Sequence, residues 1–350
     1  MRKRTFTKII PFLFALFLFN NLFAQLSEPG DTVFVANWNV ENLFDTMDDP
    51  KTNDSEFLPT SEKEWTEERL ETKLDHLTHV INYMNHGCGP DLIALEEVEN
   101  INVVKRLIYK LDRSRDYVVA HRDSPDERGI EACIVFDRNV FDIDRIVPIH
   151  VDIPTGYKTR DILHVIVIHK KSKTKFHFFA NHWPSRIGGD EKTEPNRIAA
   201  AKVLRTVVDS LMKFDKVKQI VILGDFNDEP DNKSIDSVLN AKDFKCGQKK
   251  IKKSTLLNLS YKKASGGEGS YLYDGNWNML DQIIISPKLM DGKKVDYKCG
   301  SFEIINPEFM LIKSGKKTGG PSSTYSGKKY FGGYSDHFPV GAKFFYKKGK

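Results

Sequence analysis

Short apolar runs, rich in β-branched and aromatic residues, recur along the whole chain and constrain its fold more than any other feature. Several of them are continuous rather than alternating, which is typical of strands covered on both faces. The runs are 32–36, 91–95, 132–136, 162–168, 176–180, 219–223, 282–285 and 340–345. This pattern predicts a protein built on buried β-sheet.

Two other segments have the period of a helix with one apolar face. The first stripe is Leu70, Leu74, Leu77, Ile81 and Met84, and the second is Ile198, Ala201, Leu204, Val208 and Leu211. The capping pattern Ser61-x-x-Glu64 and the stop Gly87 bound the first helix, and Pro195 precedes the second. Strands and helices interleave without a proline- or serine-rich linker, which predicts one α/β domain over residues 26–350.

The N-terminus has the three-part layout of a secretory signal peptide. Residues 1–8 are basic, residues 9–19 are almost all apolar, and Ala24 supplies a small residue for cleavage. We predict a signal peptide over residues 1–24 and a periplasmic or extracellular protein that keeps no stable membrane anchor. The alternative is an uncleaved anchor helix, which the short run, interrupted by Pro11, disfavours.

The formal net charge of +5 comes mostly from this N-terminal segment. Without it the chain has 49 basic and 48 acidic residues, a net charge of +1. A uniformly positive field, which would attract nucleic acid without local patches, is therefore excluded.

Four cysteines are compatible with a disulfide in an exported protein. Cys133 lies in an apolar run and is expected to be a buried thiol. Cys246 and Cys299 share the context Lys-Cys-Gly and are the preferred pair. None of the four has the close repeated spacing of a zinc site.

Polar side chains follow the apolar runs, at the points where the predicted strands end. Because neighbouring strand ends of a layered α/β fold meet at one rim, we expect these side chains to form a single site. The set is Asn37 and Asn39, Glu96 and Glu97, His182, Asp225 and Asn227, Asp281, and Asp336 and His337.

The residue types in this set favour one reaction. Carboxylate and amide oxygens suit Mg²⁺ or Mn²⁺, which use one or two carboxylates plus substrate phosphate oxygens. An Asp-x-Asn turn can aim a proton acceptor and an orienting donor at one point, and histidines can donate to oxygens that gain negative charge. Taken alone, Gly-Asp-Phe-Asn at 224–227 could equally be an ordinary strand-ending turn, because Gly, Asp and Asn are common turn formers. An isolated His182 would be better explained as a hydrogen-bonded core histidine. Their joint occurrence predicts phosphoester hydrolysis.

The ordered motifs resemble the endonuclease/exonuclease/phosphatase superfamily, which includes deoxyribonuclease I. They are Trp-Asn-Val, Asn-His-Trp-Pro-Ser, Gly-Asp-Phe-Asn, Leu-Asp-Gln and Ser-Asp-His, together with the glutamate that ends Asp-Leu-Ile-Ala-Leu-Glu-Glu. The likeness runs from about residue 32 to about residue 345 and is strongest to secreted bacterial members. It implies a deoxyribonuclease I-like fold, a four-layer sandwich of two packed mixed β-sheets flanked by helices.

The resemblance selects Asn39 and Glu97 from the set and implies a role for the residues that match the family's motifs. Asn39, Glu97 and Asp336 would hold the metal, Mg²⁺ or Mn²⁺, with Ca²⁺ as an alternative. Asp225 would activate or position the attacking water, and Asn227 would orient it.

Two histidines would stabilise charge on the phosphate by the same resemblance. His337 would do so with its tautomer fixed by Asp281, and His182 would be the second donor, with Glu131 placed behind it. One departure concerns Glu96, where many relatives have glutamine; it either adds a charge near the metal or faces away.

The substrate is left open by these motifs, because one scaffold hosts many substrates. Arg128 and Arg186 lie nearest to them and suit a phosphate, since a guanidinium binds it bidentately. We predict an exported, monomeric nuclease that cleaves phosphodiester bonds. The alternatives are hydrolysis of small-molecule or lipid phosphoesters, such as inositol phosphates or sphingomyelin, and a non-catalytic binding module on the same fold. A binding module would be expected to lack a metal ligand or the water-positioning aspartate.

Overall fold

The computed structural model describes residues 32–214, 218–248 and 251–346. The predicted signal peptide lies outside these ranges. Among the described residues, no helix combines the length and the apolar character needed to cross a bilayer.

Strands and short helical segments alternate along the described chain. The strands are β1 (Thr32–Leu43), β2 (Leu92–Val98), β3 (Tyr117–Ala120), β4 (Glu131–Asp137), β5 (Phe141–Ile149), β6 (Ile162–His169), β7 (Thr174–His182), β8 (Ile220–Asp225), β9 (Ala241–Lys242), β10 (Leu256–Asn258), β11 (Tyr271–Tyr273), β12 (Asn276–Asn278), β13 (Asp281–Ile285), β14 (Val295–Tyr297), β15 (Glu303–Ile304), β16 (Tyr325–Ser326), β17 (Lys329–Tyr330) and β18 (Val340–Tyr346). The α-helices are α1 (Glu67–Gly87), α2 (Ile101–Lys110), α3 (Asp190–Phe214) and α4 (Tyr261–Ser265). Single turns of 3₁₀- or π-helix occupy Ser55–Phe57, Ser234–Val238, Pro287–Met290 and Glu308–Met310.

Two mixed sheets of seven strands each form the centre of the described fold. The first has the order β14-β18-β1-β2-β4-β3, with β15 also beside β18, and the second has the order β5-β6-β7-β8-β13-β10-β9. Among the described strands, β1–β2, β7–β8 and β9–β10 pair in parallel, and the other neighbours in these two sheets are antiparallel. Each of the eight predicted apolar runs forms one of these strands.

Alternating side chains of the central strands fill different layers of the core. In β1, Val33 and Val35 face the second sheet, whereas Phe34 and Trp38 pack under α1. On the far side of the second sheet, Leu204 of α3 covers the outer face in the same way. The order helix, sheet, sheet, helix confirms the predicted four-layer sandwich.

Both predicted helix starts differ from the structure. Helix α1 begins at Glu67 with Thr66 as its N-cap, so the capping pattern at Ser61 is wrong. The Ser61 hydroxyl instead donates to the Leu58 carbonyl oxygen at 2.7 Å, which closes a turn ahead of the helix. Helix α3 begins at Asp190 and contains Pro195 in its second turn.

A disulfide joins Cys246 and Cys299, as predicted, across a sequence separation of 53 residues. A loop of that length corresponds to about 4 kcal/mol of unfolded-state entropy. We therefore expect the double variant Cys246→Ser/Cys299→Ser to melt roughly 5–10 °C lower by calorimetry. Replacing the exposed free thiol Cys88 with serine is the matched control. An unchanged melting temperature in the double variant would show that the disulfide adds no stability.

Candidate active site

The polar strand ends converge on one cavity, as the sequence predicts. It has a volume of about 900 Å³ and lies at the rim where β1, β2, β7, β8 and β13 end or begin. The predicted site residues that line it are Asn39, Glu97, Arg128, His182, Arg186, Asp225, Asn227, Asp336 and His337.

Glu97 reaches this cavity because β2 is irregular at its end. The backbone of Glu97 has a φ of 63°, and the pairing with β4 shifts register between Glu96 and Val98. The Glu97 carboxylate accepts hydrogen bonds from the Asn42 backbone N–H at 2.9 Å and the Asn39 side-chain amide at 3.3 Å. The irregularity thus holds one carboxylate at the rim, beside Asn39.

Glu96, in contrast, is fully buried, and neither of its carboxyl oxygens has a hydrogen-bond partner among the described residues. Burial, reinforced by the charges of Asp281 and Asp225, raises the pKa of Glu96 well above its usual value. A neutral carboxylic acid is therefore expected here. Of the two possibilities left open by the sequence, the structure supports a side chain that faces away from the cavity.

The turn after β8 places Asp225 and Asn227 on the cavity floor. Asp225 accepts the Asn227 backbone N–H at 2.9 Å and the Asn39 side-chain amide at 3.0 Å. Gly224 permits this packing, because a Cβ there would lie 2.1 Å from the Asn181 carbonyl oxygen. Burial raises the pKa of Asp225 to about 6, although the charge of His337 opposes this.

His337 and Asp281 form the predicted pair. His337 Nδ1 lies 2.7 Å from Asp281 Oδ2, and the same oxygen accepts the Ser270 hydroxyl at 2.6 Å. Asn37 donates to the other carboxylate oxygen at 3.3 Å. Burial disfavours a charged imidazole, but the charge and hydrogen bond of Asp281 outweigh it, so the pKa of His337 is raised well above its usual value.

His182 stands on the opposite side of Asp225. Its Nε2 lies 3.8 Å from both Glu97 Oε1 and Asp225 Oδ2. Burial, reinforced by the charges of Arg160 and Arg128, lowers the pKa of His182 well below its usual value. A neutral imidazole is therefore expected at neutral pH.

Glu131 is not behind His182, so its predicted placement is wrong. Its carboxylate accepts the Ser124 backbone N–H at 2.8 Å, and it lines a second cavity of about 760 Å³. Among the described residues, none is hydrogen-bonded to Nδ1 of His182. The loop before β4 binds the carboxylate that the resemblance assigned to the histidine, and burial raises the pKa of Glu131 to about 8.

The two predicted arginines differ in their surroundings. Arg128 is exposed at the cavity mouth, where its guanidinium is accessible to a ligand. Arg186 already donates to the Asn227 carbonyl oxygen at 2.6 Å, to Asn278 Oδ1 at 3.3 Å and to Asn232 Oδ1 at 3.1 Å. The structure therefore shows Arg186 holding the turn of Asn227 in place rather than presenting a free fork to a phosphate.

Other residues at the cavity are absent from the predicted set. Arg160 donates to Asp126 at 3.1 Å and to the Trp183 carbonyl oxygen at 2.9 Å, which leaves its Nε buried and without a partner among the described residues. The ring of Tyr271 stacks on the His337 imidazole at 4.7 Å between centroids, and Tyr273 lies exposed beside it. Both tyrosines belong to the β11–β12 hairpin.

The residues predicted to hold a metal fit a hard divalent cation. Within the described ranges, no group of three or more His, Cys, Asp or Glu is arranged to hold a metal on its own. Mg²⁺ does not need such a group, because it keeps waters and substrate oxygens beside one or two carboxylates. Burial and the charges of Glu41 and Glu97 raise the pKa of Asp336 to about 7, a repulsion that a bound cation would relieve. Asn39, Glu97 and Asp336 supply only oxygen ligands of the preferred kind.

A family model for the endonuclease/exonuclease/phosphatase family matches residues 34–346. The chain belongs to this family. Its members are phosphoester hydrolases that in general use divalent metals. No curated protein sequence matches the chain significantly.

Solved structures share the fold at low sequence identity. An endonuclease/exonuclease/phosphatase family protein of Bacteroides thetaiotaomicron is 17% identical with a TM-score of 0.55, over 90% of this chain and 95% of that one. A mannosyl-6-phosphatase of the same organism is 16% identical with a TM-score of 0.55, over 90% and 100%. The human nocturnin catalytic domain, solved with bound sulfate, is 18% identical with a TM-score of 0.53, over 90% and 95%. These similarities establish the deoxyribonuclease I-like fold.

Proposed function

We propose that this chain is a divalent-metal-dependent phosphoester hydrolase. The observation that supports it best is the meeting of the Asp225–Asn227 turn, the His337–Asp281 pair and Glu97 on one cavity. A proton acceptor, hydrogen-bond donors and an oxygen-rich metal site within one cavity are what hydrolysis of a phosphoester requires.

Asp225 is the proposed base for the attacking water. A pKa of about 6 leaves it mostly ionised at neutral pH and still basic enough to accept a proton. The hydrogen bonds from Asn39 and from the Asn227 backbone orient its carboxylate. The oxygen of the water forms a bond to phosphorus, the bond from phosphorus to the leaving oxygen breaks, and Asp225 takes the proton.

The two histidines serve the phosphate oxygens. His337 is charged because of Asp281, and its Nε2, which lies 3.9 Å from Asp225 Oδ2, can donate toward a phosphate that gains negative charge. His182 is neutral and donates as a second, uncharged group. Asn39, Glu97 and Asp336 would hold the metal, which when bound supplies positive charge to the phosphate oxygens.

A direct assay tests this proposal. Purified residues 25–350 are incubated with Mg²⁺, Mn²⁺ or Ca²⁺ and offered plasmid DNA, RNA, sphingomyelin and inositol phosphates. We expect release of product from at least one phosphoester and its loss when a chelator is added. Product formation that persists unchanged in chelator would refute metal dependence, and no hydrolysis of any phosphoester would refute the proposal.

Nucleic acid is the first candidate substrate. Exposed Tyr273 offers a surface for a base to stack on, and Arg128 offers a partner for a backbone phosphate. Cleavage of DNA or RNA that falls in the variant Tyr273→Ala, with little change for a small phosphomonoester, would support this assignment.

A small phosphorylated molecule is the second candidate, and the charge around the site favours it. The lysine pairs at 252–253 and 316–317, which could attract a polyanion, are not among the residues that line the cavity. The mature net charge of +1 also gives no general attraction to a polyanion. Faster turnover of sugar or inositol phosphates than of any nucleic acid in the same assay would select this candidate.

We also propose that the protein is exported and monomeric. The disulfide between Cys246 and Cys299 is consistent with an oxidising compartment. We expect the mature chain to begin at Gln25, and N-terminal sequencing of native material checks this. A retained Met1 in a soluble cytosolic fraction would contradict the prediction.

A further inference from the structure

Lys73 is a lysine buried in the inner face of α1. Its side chain is 0% exposed, although lysine is almost never fully buried unless it is paired. The ammonium group donates to Thr324 Oγ1 at 2.6 Å and to the Tyr334 carbonyl oxygen at 2.8 Å. Both acceptors lie in the long loop of residues 311–339, which precedes β18 and includes the short strands β16 and β17.

Glu41 binds the same loop from the side of β1. Its carboxylate accepts the backbone N–H groups of Thr324 at 2.6 Å and Tyr325 at 3.1 Å, and it lies 3.8 Å from the Lys73 ammonium. The backbone N–H of Glu41 donates to Asn39 Oδ1 at 3.0 Å. Glu41 therefore connects a predicted metal ligand with the loop, through its backbone N–H on one side and its buried carboxylate on the other.

The loop ends at the other metal-ligand candidate, Asp336. The backbone N–H groups of Tyr334 and Ser335 donate to the Ser322 carbonyl oxygen at 2.7 and 3.1 Å, so the two ends of the loop are hydrogen-bonded to each other. The Ser335 hydroxyl then donates to the Asn39 carbonyl oxygen at 2.7 Å. Hydrogen bonds thus link the segment that contains Thr324 to Ser335, the residue next to Asp336.

Lys73 does not line the cavity, so it acts on the site through the loop and through its charge rather than by contact with substrate. The carboxylates that its charge affects include two predicted metal ligands, Asp336 and Glu97. Burial lowers the pKa of Lys73, and the negative charges of Glu41, Asp336 and Glu97 oppose that effect.

We propose that Lys73, Glu41 and Thr324 form a buried latch that positions Asp336 for metal binding. The latch is a set of positioning residues, and it rests on the proposed function because it requires a metal at Asn39, Glu97 and Asp336. Outer residues that orient metal ligands typically change metal affinity or activity 10–100-fold when they are removed.

Three variants of the full mature chain test the latch. Thr324→Val removes the hydroxyl but keeps the shape and the Lys73 charge, Thr324→Ser keeps the hydroxyl, and Lys73→Met removes the charge. The readouts are Mn²⁺ affinity from the electron paramagnetic resonance of free Mn²⁺, the melting temperature, and hydrolysis at limiting and saturating Mn²⁺.

We expect Thr324→Val to bind Mn²⁺ about 10-fold more weakly and to recover hydrolysis at saturating Mn²⁺. Thr324→Ser should bind like the wild type, and Lys73→Met should weaken binding at least as much as Thr324→Val. Recovery by metal is the decisive readout, because a purely structural defect does not depend on metal concentration.

The contrary results are distinct from one another. Mn²⁺ affinity that is unchanged in Thr324→Val, with only a lower melting temperature, overturns the latch. Tighter binding in Lys73→Met overturns it too, because the lysine would then act only as a competing cation. If Lys73→Met does not fold, Thr324→Val decides alone. A wild-type chain that binds no Mn²⁺ overturns the proposed function and the latch together, whereas wild-type binding with unaltered variants overturns the latch alone.

Discussion

Replacing Asp281 with asparagine is expected to lower kcat by roughly 10²–10⁴-fold while leaving metal affinity nearly unchanged. The carboxylate accepts a hydrogen bond from the Nδ1–H of His337 at 2.7 Å, and Asp281 is not among the residues that line the cavity of the predicted metal ligands. An asparagine amide placed there cannot supply the negative charge that raises the pKa of His337. The pKa of the His337 imidazole would then fall, and its stabilisation of the phosphate would weaken.

A double-mutant cycle on kcat separates this role from a metal-binding role. Asp281→Asn and His337→Ala should be strongly non-additive, because residues that act as one unit do not contribute independently. The variant Ser270→Ala is the graded comparison, since it removes one donor to Asp281 at 2.6 Å and keeps the charge. Additive losses, or a large shift in the Mn²⁺ requirement of Asp281→Asn alone, would place Asp281 in the metal site instead.

Strand ends could be predicted from this sequence because strands that are buried on both faces consist of continuous apolar runs, whose ends are visible in the sequence. Ile220 and Ile222 cover one face of β8 while Val221 and Leu223 cover the other, and Asp225 is the last residue of the strand. The ends of apolar runs also predicted that Asn39 and His182 lie at the rim. The ordered motifs then indicated the roles of these residues by resemblance, but not the distances between their side chains.

Shorter elements such as α2 and the β11–β12 hairpin were not predicted, because caps and turns rather than long apolar runs mark them in the sequence. Helix α2 begins after Asn100, whose side chain caps the backbone N–H groups of Asn102 and Val103 at 2.8 and 3.1 Å. The Asp274-Gly275 turn is a strong hairpin signal and predicts the strands β11 and β12, the first of which contains Tyr271 and Tyr273. The turn alone does not predict that the hairpin lies at the site.

Lys73 and Glu131 illustrate what a single sequence does not contain. Lys73 lies among leucines on the apolar stripe of α1, and the sequence around it gives no reason for a charged residue there. The reason is a hydrogen bond from its ammonium group to Thr324, which is more than two hundred positions away in the chain. Glu131 had the expected position in the chain, but a neighbouring backbone N–H captured its carboxylate. In both cases the partner is set by tertiary contacts that no local pattern encodes.

The adjacent glutamates at the end of β2 are expected to differ sharply when each is replaced by glutamine. Glu97→Gln should weaken Mn²⁺ binding and metal-supported hydrolysis by roughly 10–100-fold or more, because it removes a charged oxygen ligand at the cavity. Glu96→Gln should do far less, since the carboxyl it replaces is buried, has a pKa raised by that burial, does not line the cavity and is similar in shape to an amide.

The two variants are each other's control, because they make the same chemical change one residue apart. Metal titrations of hydrolysis and calorimetric Mn²⁺ binding on both proteins measure the difference, with melting temperatures to confirm that each has folded. The structure turns Glu97 toward the cavity only because its φ of 63° breaks the alternation of β2. An inactive Glu96→Gln beside a nearly normal Glu97→Gln would mean that the strand continues regularly and that Glu96, rather than Glu97, faces the metal.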